Sequence, residues 1–451
     1  MDDATMAAAL FASPSRGFAV RLWDGTDLPA PRDAGVRGRV VLRDRRALEA
    51  FFPPAAEHRL AEAVLEGHVE LEGDAIGLIE AAARWEGPRL RLSLAAPALA
   101  VVARRTLRRR GPAALEARLR GARHSEDRDR DAVRHHYDVS DDFYRLFLDE
   151  GLVYSCAYFP DGDETLEAAQ REKLDLVCRK LALGRGERFL DVGCGWGALV
   201  EHAARFYGAR ATGITVSANQ LVAARARLAR AAGGDGSASI EASDYRVLRP
   251  AARYDKVASV GMMEHVGRAR LPAYFRAVHR LLRPGGLFLN HAIADASGGA
   301  ATLSWAHQRG GGFIWRYVFP DGELVPIGEV VTAAERTGFE VRDLESLREH
   351  YAETLAHWLA RLEARWEDAV AIAGERRARL YRLYLAASAV GFRLGRTNVY
   401  QLLLARRTAS GRAEGVPRSR AEWYRTAGPR AAAQPPAGPA PARADDPVTR
   451  A

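Results

Sequence analysis

Cysteine is scarce in this chain: three in 451 residues, at Cys156, Cys178 and Cys194. Their spacing fits no metal-ligand pattern and cannot build a disulfide scaffold. A reducing compartment and no bound metal are therefore expected. Lysine is as scarce. Of 66 Lys and Arg residues, only Lys173, Lys180 and Lys256 are lysines. No run of about 18 apolar residues occurs, so no helix is expected to span a membrane. The opening stretch MDDATMAAALFASPSRG has no charged segment ahead of its short apolar run, so no signal peptide is expected. A cytoplasmic protein follows, with any membrane contact peripheral. What is present in quantity is ordinary. Hydrophobic residues make up 48% and charged residues 27%, which suits two or three globular domains and excludes wholesale disorder. The net charge is +9. The Arg excess reads either as genomic composition or as a means of gripping phosphate in a planar fork.

Along the chain the pattern changes three times. In residues 1–100, RGFAVRLWDGT and GRVVLRD alternate with period two and break at Gly and Asp, as hairpins do. ALEAFFPP and AEHRLAEAVLEG read as helical pieces, so a small α+β domain is expected. His58 and His68 stand ten apart in it without evident partners. Residues 101–125 carry eight Arg and one Glu, and Gly111-Pro112 interrupts any helix through them. They read as a basic linker or a helix pair. From 126 to 410 strand and helix patterns alternate, which implies an α/β domain with a parallel, doubly wound sheet. Two helical runs near 351–373 and 376–394 precede a last strand, NVYQLLLAR. Residues 411–451 hold 7 of the 21 prolines and read as a disordered tail. No internal repeat is present.

Leu190-Asp191-Val192-Gly193-Cys194-Gly195-Trp196-Gly197 closes the first strand of this domain and opens a helix. Gly193, Gly195 and Gly197 permit a tight turn and close approach to a ligand. The spacing is neither the dinucleotide fingerprint nor a P-loop. A glycine turn alone is weak, and Asp191 strengthens it. An acid followed by G-x-G-x-G resembles the signature of class I S-adenosylmethionine-dependent methyltransferases. The variant DVGCGWG, with ITVSANQ after the second strand, resembles the cyclopropane-fatty-acyl-phospholipid synthase family, which includes the mycolic acid cyclopropane synthases. Five further segments resemble that family in order: HHYDVS at 135–140, YSCAYF at 154–159, GMMEHVG at 261–267, LNHAI at 289–293 and YVFPDG at 317–322. A sixth, HYAETL at 350–355, opens a helix.

The resemblance implies a Rossmann-like catalytic domain that carries a methylene group from S-adenosylmethionine to the cis double bond of a phospholipid acyl chain. It places the cofactor on Asp191, Gly193, Gly195, Gly197, Thr215, Ser217 and Gln220, with Tyr154 and Ser155 closing over it and Asp244 and Tyr245 near the adenine. Gln220 stands in for the acid that usually holds the ribose. Ser217 also reads as a helix N-cap with Gln220 completing a capping box, and the two readings are compatible. An isolated alkene is a poor nucleophile, so the donor must be electrophilic and close. The resulting carbocation must be kept dry and can be steadied by aromatic faces. Tyr154, Tyr158, Phe159, Tyr317, Phe319 and Tyr351 are candidates, each equally readable as packing. The family uses bound bicarbonate as the base that removes the proton. The resemblance carries its ligands onto Cys156, Glu264, His291, Tyr351 and the backbone at Ile293. Some members carry a cysteine where this chain has Ser388, so no cysteine nucleophile exists there. Cys178 reads as core, and Cys194 as packing beneath the cofactor. The Gly-rich stretch 297–313 reads as a lid or as a surface loop.

Four rivals stay open: methylation without ring closure, a small-molecule methyltransferase, a lipid-binding protein with a vestigial enzyme domain, and a nucleic-acid methyltransferase. The absence of a base-flipping N-P-P-Y motif argues against the last, and nucleic acid is not an expected partner. The expected partners are a phospholipid with unsaturated acyl chains and an anionic membrane surface, and the resemblance leaves a homodimer open. Segment 101–125 carries +7 and the tail +3, so the rest of the chain sums to −1. That placement suits an electrostatic anchor worth about 1 kcal/mol per basic residue near an anionic surface. Reversing the charges of the Arg104–Arg110 cluster is expected to weaken binding to anionic vesicles in a sedimentation assay and to leave cofactor affinity unchanged. Unchanged vesicle binding would return the Arg excess to composition.

Overall fold

The computed structural model describes residues 3–12, 16–31, 35, 38–51, 56–85, parts of 115–132, 139–231, 234–297, 312–411, 413 and 415–424. The N-terminal part forms a four-stranded sheet from β1 (Ala19–Arg21), β2 (Asp27–Leu28), β3 (Gly38–Leu42) and β4 (Val69–Gly73), in the order β2-β1-β3-β4. Asp24-Gly25, with Gly25 at φ 88°, turns β1 back onto β2. The two alternating segments of the sequence are not hairpin partners of each other. β1 and β3 run parallel, and β3 finds its antiparallel partner in β4. His58 and His68 are both engaged: His58 Nε2 lies 2.6 Å from Arg316, and His68 Nδ1 lies 2.7 Å from Asp44.

This N-terminal part does not have a core of its own. One buried apolar cluster runs from Phe11, Leu42 and Leu78 to Trp358, Tyr384 and Val390 of the catalytic part. The helix Glu375–Arg393 is the shared wall. Its Arg379 pairs with Glu70 at 2.9 Å, and its Arg382 donates to the Leu71 carbonyl at 2.9 Å. A sheet this small buries too little surface to stand alone, so it borrows that helix.

The catalytic sheet comprises β5 (Arg188–Val192), β6 (Arg210–Thr215), β7 (Ser237–Ala242), β8 (Tyr254–Val260), β9 (Leu282–Asp295), β10 (Phe339–Ser346) and β11 (Thr397–Arg406). Their order is β10-β11-β9-β8-β5-β6-β7. β5 to β9 are parallel, joined by helices such as Ala198–Tyr207 and Leu271–Leu281. The central strands are buried on both faces, which is why FLDV and KVAS read as unbroken runs rather than alternations. The sheet is mixed, however. β11 returns antiparallel between β9 and β10, an antiparallel edge on the expected doubly wound parallel sheet. β10 and the helix Ile327–Arg336 ahead of it had no clear pattern in the sequence, and the helical run 351–373 breaks at Arg365. Chain order reverses between β5 and β8, and that switch point is where an open α/β sheet forms its crevice.

The tail is packed at its start. Trp423 is buried, its carbonyl accepts from Arg179 at 2.6 Å, and Arg420 donates to Asp343 at 2.7 Å. Residues 415–424 thus strap the helix Leu166–Lys180 to β10, and the expected boundary at 411 is too early. Alanine, proline and arginine dominate the composition of 411–451, while one tryptophan supplies the anchor. Residues 425–451, most of 101–125 and 298–311 lie outside the described residues. Among the described residues no helix is long and apolar enough to cross a membrane. Trp423→Ala is expected to lower stability in urea unfolding by roughly 3 kcal/mol, as for other buried tryptophans. An unchanged unfolding midpoint would mean that the strap does not hold.

Candidate active site

β5 ends at Asp191-Val192 and the glycine turn begins. Gly193 sits at φ 81°, and a Cβ there would meet Met262 at 3.1 Å. The amides of Gly193 and Cys194 both donate to the Ile214 carbonyl at 3.0 Å, which ties the turn to β6. A chamber opens above it, lined by Asp191, Gly193, Gly195, Thr215 and Gln220. Asp244 and Tyr245 line its far side, and Tyr154 and Ser155 its roof. Gly197 and Ser217 do not face it. Gly197 begins the helix Ala198–Tyr207 in a left-handed conformation, and Ser217 caps the next helix by accepting from the Gln220 amide at 3.4 Å. The capping box stays incomplete. The Gln220 side chain instead accepts from the Thr215 hydroxyl at 3.1 Å, and the Ser217 amide donates to that same hydroxyl.

The chamber has a carboxyl at its base. Asp191 Oδ1 is buried and has no hydrogen-bond partner among the described residues. Burial pushes its carboxyl up to about 7, opposed by the nearby Lys173 ammonium. Lys173 is itself buried and donates to Ser155 Oγ at 2.8 Å. Burial lowers it to about 8, while Asp149, Cys156 and Asp191 hold it up. No motif pointed to Lys173. Its one signal was rarity, a lysine retained in a chain that otherwise uses arginine. Asp244 is already held by Arg246 at 2.6 Å, which fixes it at the chamber wall. An unpaired buried carboxylate oxygen beside a glycine turn suits a ligand carrying positive charge, as S-adenosylmethionine does.

A second chamber adjoins the first. Tyr154, Ser155, Gly261 and His265 line both. Cys156, Glu264, His291, Ile293 and Tyr351, drawn from four separate motifs, line the second together. Glu264 Oε1 accepts from the Ile293 amide at 2.8 Å. The Ile293 N–H is therefore engaged in orienting Glu264. Glu264 Oε2 and His291 Nε2 are buried without partners among the described residues. Burial raises the Glu264 carboxyl to about 7, against the Ile293 hydrogen bond. Burial holds the His291 imidazole well below its ordinary value, with Lys173 and Lys180 acting in the same direction, so the ring is neutral. Burial pushes the Cys156 thiol up, so it stays protonated and can donate. Phe319, Trp315, Tyr384 and Phe392 complete the wall, and Ser388 stands among them.

Three expected aromatic residues lie elsewhere. Tyr158 stacks on His350 at 4.6 Å, and Phe159 on His357 at 5.5 Å. Tyr317 donates to Glu62 of the N-terminal part at 3.1 Å. The YSCAYF segment leaves the cavity after Cys156, because the helix that carries HYAETL pulls it aside. Ala157 N donates to Thr354 Oγ1 at 3.0 Å and Phe159 N to His350 Nδ1 at 3.1 Å. These two motifs are one device. Residues 135–138 of HHYDVS lie outside the described residues, while Ser140 caps a short helix at Asp141–Tyr144. Tyr384 and Trp315 were not singled out in the sequence, since neither falls in a chemical pattern. Among the described residues no cluster of His, Cys, Asp and Glu could hold a metal ion.

Chains folded in this way, with the cofactor crevice at the carboxyl ends of β5 and β6, are class I methyltransferases, which draw their methyl group from S-adenosylmethionine. Residues 124–402 match the family described as mycolic acid cyclopropane synthetase, and the chain belongs to that family. It is 38% identical over 410 residues to a probable fatty acid methyltransferase of Pseudomonas putida, covering 90% of this chain and 96% of that one. This likeness reaches beyond the span of the family match. The chain is 34% identical over 279 residues to the cyclopropane-fatty-acyl-phospholipid synthase of Escherichia coli, covering 62% of this chain and 68% of that one. A crystal structure of a mycolic acid cyclopropane synthase complexed with SAH and CTAB superposes with a TM-score of 0.58 at 37% identity, over 61% of this chain and 97% of that one.

The state of Glu264 has a measurable consequence. Its carboxyl is raised in the folded chain from the ordinary 4.5 to about 7. Between those values the unfolded chain releases a proton that the folded chain retains, so stability falls as pH rises and then levels off. Glu264→Gln is expected to be more stable than the natural chain in urea unfolding, with a larger advantage at pH 8 than at pH 5. Equal advantages at the two pH values would show that the carboxyl is not shifted.

Proposed function

We propose that this enzyme transfers a methylene group from S-adenosylmethionine to the cis double bond of an unsaturated phospholipid acyl chain and closes a cyclopropane ring. The observation that carries the reading is the second chamber. Its wall is largely apolar and aromatic, it adjoins the cofactor chamber, and it is lined by Glu264 and His291, whose Oε2 and Nε2 have no partner among the described residues. The cofactor, when bound, supplies an electrophilic methyl group. Asp191, Thr215, Gln220, Asp244 and Tyr245 would hold it, with the glycine turn letting it approach. Tyr154, Phe319, Tyr351 and Tyr384 line the chamber and supply aromatic rings that can steady a cation forming on the acyl chain, and the apolar wall keeps water from quenching it.

Ring closure releases a proton, for which bicarbonate is the base. The side chains suit that anion. Glu264 Oε2 accepts its O–H, while the Cys156 thiol, the Tyr351 phenol and the His291 imidazole can donate to its oxygens. A neutral His291 and a protonated Cys156 are the forms that donation requires. The basic segment 101–125 would hold the enzyme peripherally on anionic lipid at the cytoplasmic face.

A second reading keeps the methyl transfer and omits the ring, which leaves a methyl- or methylene-branched chain. The name of the Pseudomonas putida relative favours it. Both products add one CH2, so mass alone does not separate them. The test is to incubate the protein with vesicles of dioleoyl phosphatidylglycerol and methyl-labelled cofactor, then examine the esters by proton NMR. Ring methylene resonances are expected, and they should weaken when bicarbonate is depleted. Glu264→Gln and His291→Ala should lose them while keeping cofactor affinity. Labelled esters that retain olefinic protons would establish the branched product. No labelled ester, with cofactor binding intact, would sink both readings.

A further inference from the structure

His291 lines the second chamber, and its two ring nitrogens have different surroundings. Nε2 is buried without a partner among the described residues, while Nδ1 lies 3.3 Å from the side-chain amide nitrogen of Gln401. The two residues are direct opposites on antiparallel strands, His291 on β9 and Gln401 on β11. Gln401 is fully buried, so water does not compete for its amide. That amide nitrogen can only donate, and Nδ1 can receive it only when the ring proton is on Nε2. The Gln401 oxygen has no partner among the described residues. Turning the amide around would instead strand its N–H groups, which proteins tolerate less well than an under-used oxygen.

We infer that Gln401 is a positioning residue that locks His291 in the tautomer with its proton on Nε2, so that the ring presents an N–H donor to the second chamber. The consequence for catalysis rests on the reading of that chamber as an anion site. The lock itself does not. A neutral imidazole can carry its single proton on either nitrogen, and the partner of the far nitrogen decides which. With the proton on Nδ1, Nε2 would turn a lone pair toward an anion and repel it. Neither a second histidine nor a carboxylate is needed, because a neutral amide at a cross-strand position does the selecting without adding charge.

The experiment uses the full chain labelled with 15N-histidine. The His291 resonances among the 12 histidines are assigned by their loss in His291→Ala. In the natural protein Nε2 is expected to show the one-bond coupling to hydrogen, and Nδ1 the shift of a nitrogen accepting a hydrogen bond. In Gln401→Met, Nδ1 should move toward the shift of a free pyridine-type nitrogen and the Nδ1–H form should become populated. The bicarbonate concentration needed for half-maximal ring formation should rise about tenfold, as for other residues that orient a binding histidine. A natural protein with its proton on Nδ1 would overturn the inference, as would a Met variant whose Nδ1 resonance does not move. If Nδ1 shifts and the bicarbonate dependence does not, the lock stands and His291 is not the anion's donor. If Gln401→Met does not fold, the tautomer of the natural protein decides alone.

Discussion

Two buried polar atoms without partners among the described residues, Glu264 Oε2 and His291 Nε2, are the constraint around which the structure is arranged. Each costs on the order of 1–3 kcal/mol while it is unsatisfied. Neither can relax toward a neighbour. Glu264 is held by the Ile293 amide at 2.8 Å, and His291 sits on a central strand with its carbonyl bonded to the Gly261 amide at 2.8 Å. The wall that keeps water out comes from the helix pair Arg348–Ala364 and Glu375–Arg393, which brings in Tyr351 and Tyr384. The second of these helices, Glu375–Arg393, also carries the N-terminal part, through Arg379 on Glu70 and Arg382 on the Leu71 carbonyl. The small sheet therefore braces one of the helices that seal the cavity, and removing it would loosen the aromatic wall before it disturbed the cofactor chamber.

The cofactor side meets a different problem with different means. Here charge is buried, at Asp191, Asp149 and Lys173. An ion pair taken out of water recovers its desolvation only with good geometry and further hydrogen bonds. Asp149 has those bonds, from the amides of Gly151 and Val153 at 2.8 Å. Lys173 has Ser155. Asp191 is left short on one oxygen, the one that a cationic ligand can complete. Ser155 lines both chambers, so the lysine that tempers Asp191 also grips the partition between them.

Much of this was legible in the sequence because it is written in local chemistry. DVGCGWG predicted the turn, and the run of family motifs brought Cys156, Glu264, His291 and Tyr351 to one cavity although up to 195 positions separate them. What stayed hidden depends on tertiary register. The reversal of β11 is an insertion between strands already in place, and NVYQLLLAR reads as a strand in either direction. Gln401 acquires meaning only when that reversal sets it opposite His291. Tyr158 and Phe159 share a motif with Cys156, yet hydrogen bonds to Thr354 and His350 carry them outward. The strap at Trp423 was masked by the proline-rich composition beyond it.

All three lysines of the chain are buried: Lys173 beneath the cofactor chamber, Lys180 against Asp343 and Glu345, and Lys256 near Glu187. An ammonium asks for three acceptors where a guanidinium asks for five, so a closed space can satisfy lysine more readily than arginine. The surface, by contrast, carries its positive charge on arginine alone. No lysine side chain is exposed to acetylation, to ubiquitin transfer or to amine-reactive coupling reagents. The positive charge of this chain is thus nearly inert to the chemistry that usually reads or edits such charge, and modifying lysine cannot change it.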